Sequence, residues 1–293
     1  MSEINGLVQH ELGYWYLANK PSLEALREYY AEKYYQSPTG NRQPQRTPSE
    51  LAFLQTKIAQ KQAMIERILP NHGTSMLDVG CGQGYVLAHF QKQGWEIKGI
   101  DFSQAGIEQQ NPQCLEYFES GDVYQLLANE VASGNQYSVV WLQNVLEHVI
   151  DPIELLVTLR KLVAKDGCAV ITVPNDFSDL QSLALQTQKV SKPFWVALPD
   201  HLSYFNAESL QKTTEYCGWK NLALTADFPI DWFLYNQDSN YIEDASKGKN
   251  VHHARVDLEN LIGQQPMDKV LDFWQSLAAV GMGRNITAFI SPA

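Results

Sequence analysis

Three glycines at alternate positions, Gly80, Gly82 and Gly84, stand directly behind a short apolar run that carries an acid, Asp78. Glycine has no Cβ and tolerates positive φ, so such a turn lets backbone come close to a ligand. Val86, Leu87 and Phe90 follow at helical spacing, and Gly94 stops that pattern. A strand, a tight turn and a helix N-terminus in that order offer free N–H groups to a nucleotide-like ligand. The spacing is G-x-G-x-G, which departs from the G-x-G-x-x-G of the dinucleotide fingerprint. Asp101 closes the next apolar stretch and can accept both hydroxyls of a ribose. It can also cap the helix behind it, and one carboxylate can do both. His148 and His201 bring side chains that titrate near neutrality, suited to taking a proton from a hydroxyl acceptor. Each also has a structural reading: His148 as a buried ring bonded to a backbone carbonyl, His201 as a loop residue that pins the next helix.

These side chains need elements to hold them. From Ser75 onward apolar strands alternate with amphipathic helices, the pattern of a parallel, doubly wound sheet. Strands are expected at 76–79, 95–101, 115–118, 137–142, 168–173, 219–225 and 285–290. Ligands in such sheets sit beyond the carboxyl ends of the strands, where Asp78, Asp101 and Asp122 fall. Helices are expected at 85–93, 102–110, 206–216 and 267–279, and another from Asp151-Pro152 to Asp166-Gly167. Upstream, Thr47, Pro48 and Glu50 form a capping-box signature. The helix that follows carries Leu51, Leu54, Ile58, Ile65 and Ile68 and ends at Pro70. A further helix is expected at 22–35 within an aromatic N-terminus that holds Tyr14, Tyr16 and Tyr35. This segment reads either as a lid over the cleft or as ordinary packing of a helical cap. Residues 227–283 separate the last two strands, and His252-His253 beside Arg255 reads as a solvated loop or an anion contact.

The run Leu77-Asp78-Val79-Gly80-Cys81-Gly82-Gln83-Gly84-Tyr85 resembles the first motif of the Rossmann-like methyltransferases that use S-adenosylmethionine (SAM). Leu146-Glu147-His148-Val149-Ile150-Asp151-Pro152 resembles their small-molecule branch, which includes ubiquinone-type O-methyltransferases and many sugar and secondary-metabolite enzymes. Leu159-Arg160-Lys161-Leu162, Val173-Pro174-Asn175 and Asp200-His201-Leu202-Ser203-Tyr204-Phe205-Asn206 fit the same branch. The resemblance runs from about Gln60 to Thr225. It implies a SAM cofactor held by Asp78, Gly80, Cys81, Gly82 and Gly84 in the turn and by Asp101, Phe102 and Ser103 at the second strand end. It further implies Asp122 at the adenine amino group, the Val123 N–H at a ring nitrogen, and Gln143 and Asn144 behind the fourth strand. Glu147, His148 and His201 become the catalytic candidates. Tyr14, Tyr16, Tyr35 and Arg284 are candidates on the substrate side. Some relatives carry Glu-x-x-Glu-His plus a later His that bind a divalent ion. Here Asn144 replaces the first carboxylate, which weakens a hard-cation site, so no metal is expected.

With 293 residues, 44% of them hydrophobic, the chain can bury a substantial core. Its net charge of −11 disfavours an extended nucleic-acid surface. No apolar run approaches the roughly 18 residues of a membrane span. Cys81, Cys114, Cys168 and Cys217 form no C-x-x-C pair, which speaks against a zinc knuckle and for reduced thiols. The first residues lack a basic region and an apolar core, and a cytoplasmic location is expected. The expected organisation is a helical cap over 1–60, a SAM-binding core over 61–226, an insertion over 227–283 and a last, antiparallel core strand over 284–293. The insertion covers the substrate or pairs two protomers as a homodimer. The function expected is methyl transfer to oxygen or nitrogen of a small molecule, a sugar, nucleotide sugar or secondary metabolite. The alternatives are a non-catalytic SAM-binding protein, an RNA methyltransferase, which the charge disfavours, and a nicotinamide-dependent oxidoreductase, which the glycine spacing disfavours.

Overall fold

The structure is a computed structural model that describes residues 6–22, 24–25 and 46–293. The expected helix at 22–35, and Tyr35 with it, falls outside the described residues apart from short fragments. The described chain opens with strands β1 (Leu7–Gln9) and β2 (Trp15–Leu17), followed by helix α1 (Pro48–Ile68). Next come β3 (Ser75–Val79), α2 (Tyr85–Gln91), β4 (Glu96–Asp101), α3 (Ala105–Gln110), β5 (Phe118–Ser120), α4 (Val123–Ala132) and β6 (Tyr137–Gln143). The second half runs α5 (Pro152–Leu162), β7 (Val163–Pro174), α6 (Asp179–Gln186), β8 (Ser203–Tyr204), α7 (Ala207–Tyr216) and β9 (Trp219–Ala226). It closes with α8 (Gly248–Gly263), α9 (Met267–Ala279) and β10 (Asn285–Pro292).

Seven strands form the main sheet in the order β5-β4-β3-β6-β7-β10-β9. Strands β3 to β7 pair in parallel, and β10 lies antiparallel between β7 and β9. The strand order reverses between β3 and β6, which opens a crevice at their carboxyl ends. Helices cover both faces, so the central strands are mostly apolar. On one face Leu126, Leu127, Leu155, Leu159 and Leu210 pack on the sheet from α4, α5 and α7. On the other, Ile58, Met64 and Ile65 of α1, Phe90 of α2 and Leu271 of α9 pack on Trp141 and Phe289. Each such fully buried side chain contributes roughly 1.5–3 kcal/mol. The capping box forms as expected. Glu50 N–H donates to Thr47 Oγ1 at 3.2 Å, and Thr47 N–H donates to Glu50 Oε2 at 2.8 Å.

Several expectations change. The stretch at 115–118 lies mostly in a 3-10 turn, Pro112–Tyr117, and the strand begins only at Phe118. The helix expected to reach Asp166-Gly167 ends at Leu162, and Val163 already pairs with Tyr137 in the sheet. Gly167 lies within that strand, where a Cβ would meet Ser138 O at 2.5 Å, so the position calls for glycine. The polar insertion contains α8, so His252 and His253 lie on a helix. The N-terminal hairpin pairs with β8 in a separate three-stranded sheet. Tyr14 is buried there and stacks on Phe205 with ring centroids 4.8 Å apart, as a packed core residue does. All four cysteines are buried and free. No helix among the described residues is long and apolar enough to cross a membrane.

Candidate functional site

The glycine turn leads directly off β3. Gly80, Gly82 and Gly84 have φ of 73°, 52° and 72°, values that L side chains rarely adopt. A Cβ on Gly80 would also lie 2.4 Å from Val145 Cγ2, so close approach and conformation both require glycine. Asp101, at the end of β4, ties the turn in place. Its carboxylate accepts from Gly82 N–H at 2.9 Å and from Ser103 N–H at 3.1 Å. Asp78 is 3% exposed. Burial, then the nearby Asp101 charge, pushes its pKa up to about 8.

A cavity of about 460 Å³ opens at this point. Asp78, Gly80, Cys81, Gly82 and Asp101 line its first wall. Phe102, Val123, Gln143, Asn144 and His148 continue it across the switch point. Gly84 is buried in the turn, where a Cβ would lie 2.9 Å from Ile107 Cγ1. Ser103 acts through its N–H on Asp101. Asp122 caps α4, accepting from Gln125 N–H at 2.9 Å, and lies outside the cavity lining.

His148 faces the cavity with its tautomer fixed. Its Nδ1 lies 2.7 Å from Asp200 O, a carbonyl that only accepts, so Nδ1 carries the hydrogen and Nε2 keeps its lone pair. Burial lowers the pKa of His148, which keeps the ring neutral. Glu147 and His201 stand behind it. Among the described residues neither carboxylate oxygen of Glu147 has a hydrogen-bond partner, and burial raises its pKa to about 8. The His201 ring meets His148 edge-on at 4.8 Å, and burial, then His148, pulls its pKa down to about 3. Ligand atoms of Glu147, His148 and His201 lie within 4.8 Å of one another, an arrangement able to hold a divalent cation even with Asn144 in place of a carboxylate. Arg284 is tied to the buried Asp176 at 2.9 Å and does not line the cavity. Tyr14 and Tyr16 do not line it either.

Several cavity residues escape sequence reasoning. Lys61 of α1 donates to Gln143 Oε1 and to Thr172 Oγ1, each at 2.8 Å. Burial, then the like charge of Lys57, pulls its pKa down to about 7. Asp227, the first residue past β9, accepts from Lys57 Nζ at 2.9 Å and from Arg255 Nη2 at 2.8 Å. It also accepts from the Asn285 backbone N–H and Nδ2, each at 2.7 Å. Burial alone would raise the Asp227 pKa, but the Lys57 and Arg255 charges hold it well below the usual carboxylate range. The insertion thereby forms the far wall of the cavity. The one sequence signal was the i, i+4 spacing of Lys57 and Lys61, which puts both on one helix face.

A family model described as a methyltransferase domain matches residues 51–224, more than half of the chain. The chain belongs to the methyltransferase family. A curated relative from Caulobacter sp. (strain K31), named ubiquinone biosynthesis O-methyltransferase, is 31% identical over 121 residues, 40% of this chain and 46% of that protein. One of the same name from Acinetobacter baumannii (strain AYE) is 33% identical over 102 residues, 32% of this chain and 41% of that protein. The methyltransferase thus spans less than half the length of either relative. The solved plantazolicin methyltransferase BpumL, in complex with SAH, is similar in fold at 16% identity and a TM-score of 0.53. That match covers 92% of this chain and 94% of the other. The glycine turn of this methyltransferase therefore lies at the switch point of a methyltransferase fold.

Proposed function

We propose that this methyltransferase binds SAM along the Asp78–Asp101 wall and transfers its methyl group to oxygen or nitrogen of a small-molecule acceptor. One observation carries the reading. Two buried carboxylates face the same cavity across a turn of positive-φ glycines. The ribose diol of SAM suits the Asp101 carboxylate, and its ammonium and sulfonium charges suit Asp78. Lys61 offers a cation to the cofactor's own carboxylate. When bound, the cofactor supplies an electrophilic methyl on a cationic sulfur. The chain holds acceptor and methyl in line, which accounts for most of the rate gained in such a transfer. His148 takes the acceptor proton on Nε2, being neutral and held by its Nδ1–H bond to Asp200 O. Calorimetric titration with SAM tests the cofactor reading, and absence of binding at millimolar ligand would sink it.

A second reading of the catalytic group rests on the Glu147–His148–His201 cluster, in which the two Glu147 oxygens have no hydrogen-bond partner among the described residues. A divalent cation on Glu147, His148 and His201 would satisfy them and polarise an acceptor hydroxyl. Activity that survives EDTA assigns the proton to His148 alone, while loss restored by added magnesium assigns the cluster to a cation. Free thiols at all four buried cysteines support a reducing, cytoplasmic setting. Exposed Leu258, Leu261, Met267 and Phe273 on α8 and α9 support pairing through the insertion, which light scattering reads directly.

A further inference from the structure

From β6 to β9 the face of the sheet beneath α1 and α9 carries the apolar cross-strand neighbours Trp141, Val170, Phe289 and Ala223. Two residues further along each strand, toward the cavity, the row changes to Gln143, Thr172, Thr287 and Thr225. These four stand side by side on adjacent strands, and all four line the cavity. The three threonines are buried, at 5–7% exposure. Valine has the same shape and an equally good strand propensity, so neither packing nor propensity asks for hydroxyls here. Burying a hydroxyl costs free energy unless it is hydrogen-bonded.

The row is built as a chain. Lys61 donates to Thr172 Oγ1 at 2.8 Å, and Thr172 Oγ1 shares a hydrogen bond with Thr287 Oγ1 at 2.9 Å. Strands stand about 4.8 Å apart, so the hydroxyls run for roughly 10 Å from Thr172 to Thr225. The row leads away from the glycine turn, from Lys61 at one end to the Asp227–Arg255 pair at the other. Phe53 of α1 and Trp274 of α9 also line this side, and the Trp274 ring is fixed by its Nε1–H donating to Gln60 Oε1 at 3.1 Å.

We infer that the acceptor is a compact, oxygen-rich molecule of the polyol or sugar class, bound along the Thr172–Thr287–Thr225 row. This rests on the proposed function and specifies the acceptor side of the same cavity. An apolar ring with a hydrocarbon tail would desolvate the row and leave its hydroxyls without new partners. A site built to hydrogen-bond hydroxyls rejects such a molecule strongly.

The test uses the full chain saturated with S-adenosylhomocysteine, with threonine methyl groups labelled for NMR. Glucose, myo-inositol and glucuronate are the polyol probes, and 4-propylphenol is the apolar probe. At least one polyol should shift the methyl signals of Thr172, Thr225 and Thr287 along a saturable curve. Thr225→Val or Thr287→Val should weaken that binding about tenfold or more, and Thr287→Ser should restore it. Silent threonines at tens of millimolar of every polyol overturn the inference. So do shifts from 4-propylphenol alone, and so does polyol binding that the valine variants leave unchanged. Calorimetry with S-adenosylhomocysteine separates the two claims. If it fails to bind, the cofactor reading falls; if it binds and the threonines stay silent, only the acceptor class falls.

Discussion

A carboxyl such as Asp78, enclosed at 3% exposure, is costly to ionise without a cation beside it. Its folded pKa, near 8, lies above the unfolded value. The folded state therefore keeps a proton that the unfolded chain has lost, and this contribution to stability falls as pH rises from the unfolded value through about 8. Asp78→Asn removes that loss. The free variant should be more stable than wild type at pH 9, by about 1–3 kcal/mol in urea titrations, with little difference at pH 4. The same change should weaken SAM, because the cation loses its carboxylate. In wild type, SAM affinity should rise with pH and level off above about 8, with proton release visible in buffers of different ionisation enthalpy. Equal SAM affinity in Asp78→Asn would remove this residue from the cofactor site. His148→Gln should lower kcat about 10²- to 10⁴-fold, the usual contribution of a general base, with SAM affinity nearly unchanged. A variant as active as wild type would take His148 out of the proton transfer.

At the scale of elements, α1 is the roof that brings Lys57, Gln60 and Lys61 to the cavity. Its start was legible because a capping box is local chemistry, two residues three positions apart reaching back to one another. Thr47→Ala should cost about 1 kcal/mol in denaturant unfolding, and an unchanged midpoint would show that the cap carries no load. The acids at strand ends were legible for a similar reason, since a parallel sheet places its functional groups there. Helix α8 was not legible. Its sequence is polar, and only Val251, Val256 and Glu259 are buried, so the ion pairs of Arg255 with Asp227 and of Glu259 with Lys57 hold it to the fold. The threonine row was hidden for another reason. Thr172, Thr225 and Thr287 become neighbours only because β10 returns between β7 and β9, and no local pattern announces that order. The aromatic N-terminus left two readings open, lid or packing, and composition could not choose between them; the burial of Tyr14 supports packing at that position.

At the scale of the whole molecule, Asp227 is where the insertion, the roof helix and the last strand meet. Lys57 comes from α1, Arg255 from α8 and Asn285 from β10, and all three donate to one buried carboxylate. Glu259 joins the group through Arg255 Nε at 2.8 Å. Removing one partner of a buried pair leaves the others uncompensated, which typically costs 3–5 kcal/mol. Asp227→Ala should therefore destabilise the protein by about 3 kcal/mol, at the low end of that range because Lys57 is partly exposed. The pH sign is opposite to that of Asp78. The folded pKa of Asp227 is depressed, so its contribution is present above the unfolded carboxylate value and is lost as pH falls through the folded one. Wild type and Asp227→Ala should thus differ most near neutrality and converge on strong acidification, as followed by unfolding at each pH. The Asp78–Asp101 wall lies at the other end of the cavity, so S-adenosylhomocysteine should still bind the variant when it is kept below its unfolding temperature. Acceptor binding should weaken, because the far wall has lost its anchor. If cofactor affinity collapsed with acceptor affinity while the variant remained folded, the two ends of the cavity would be one coupled unit, and the acceptor wall could not be assigned to the insertion alone.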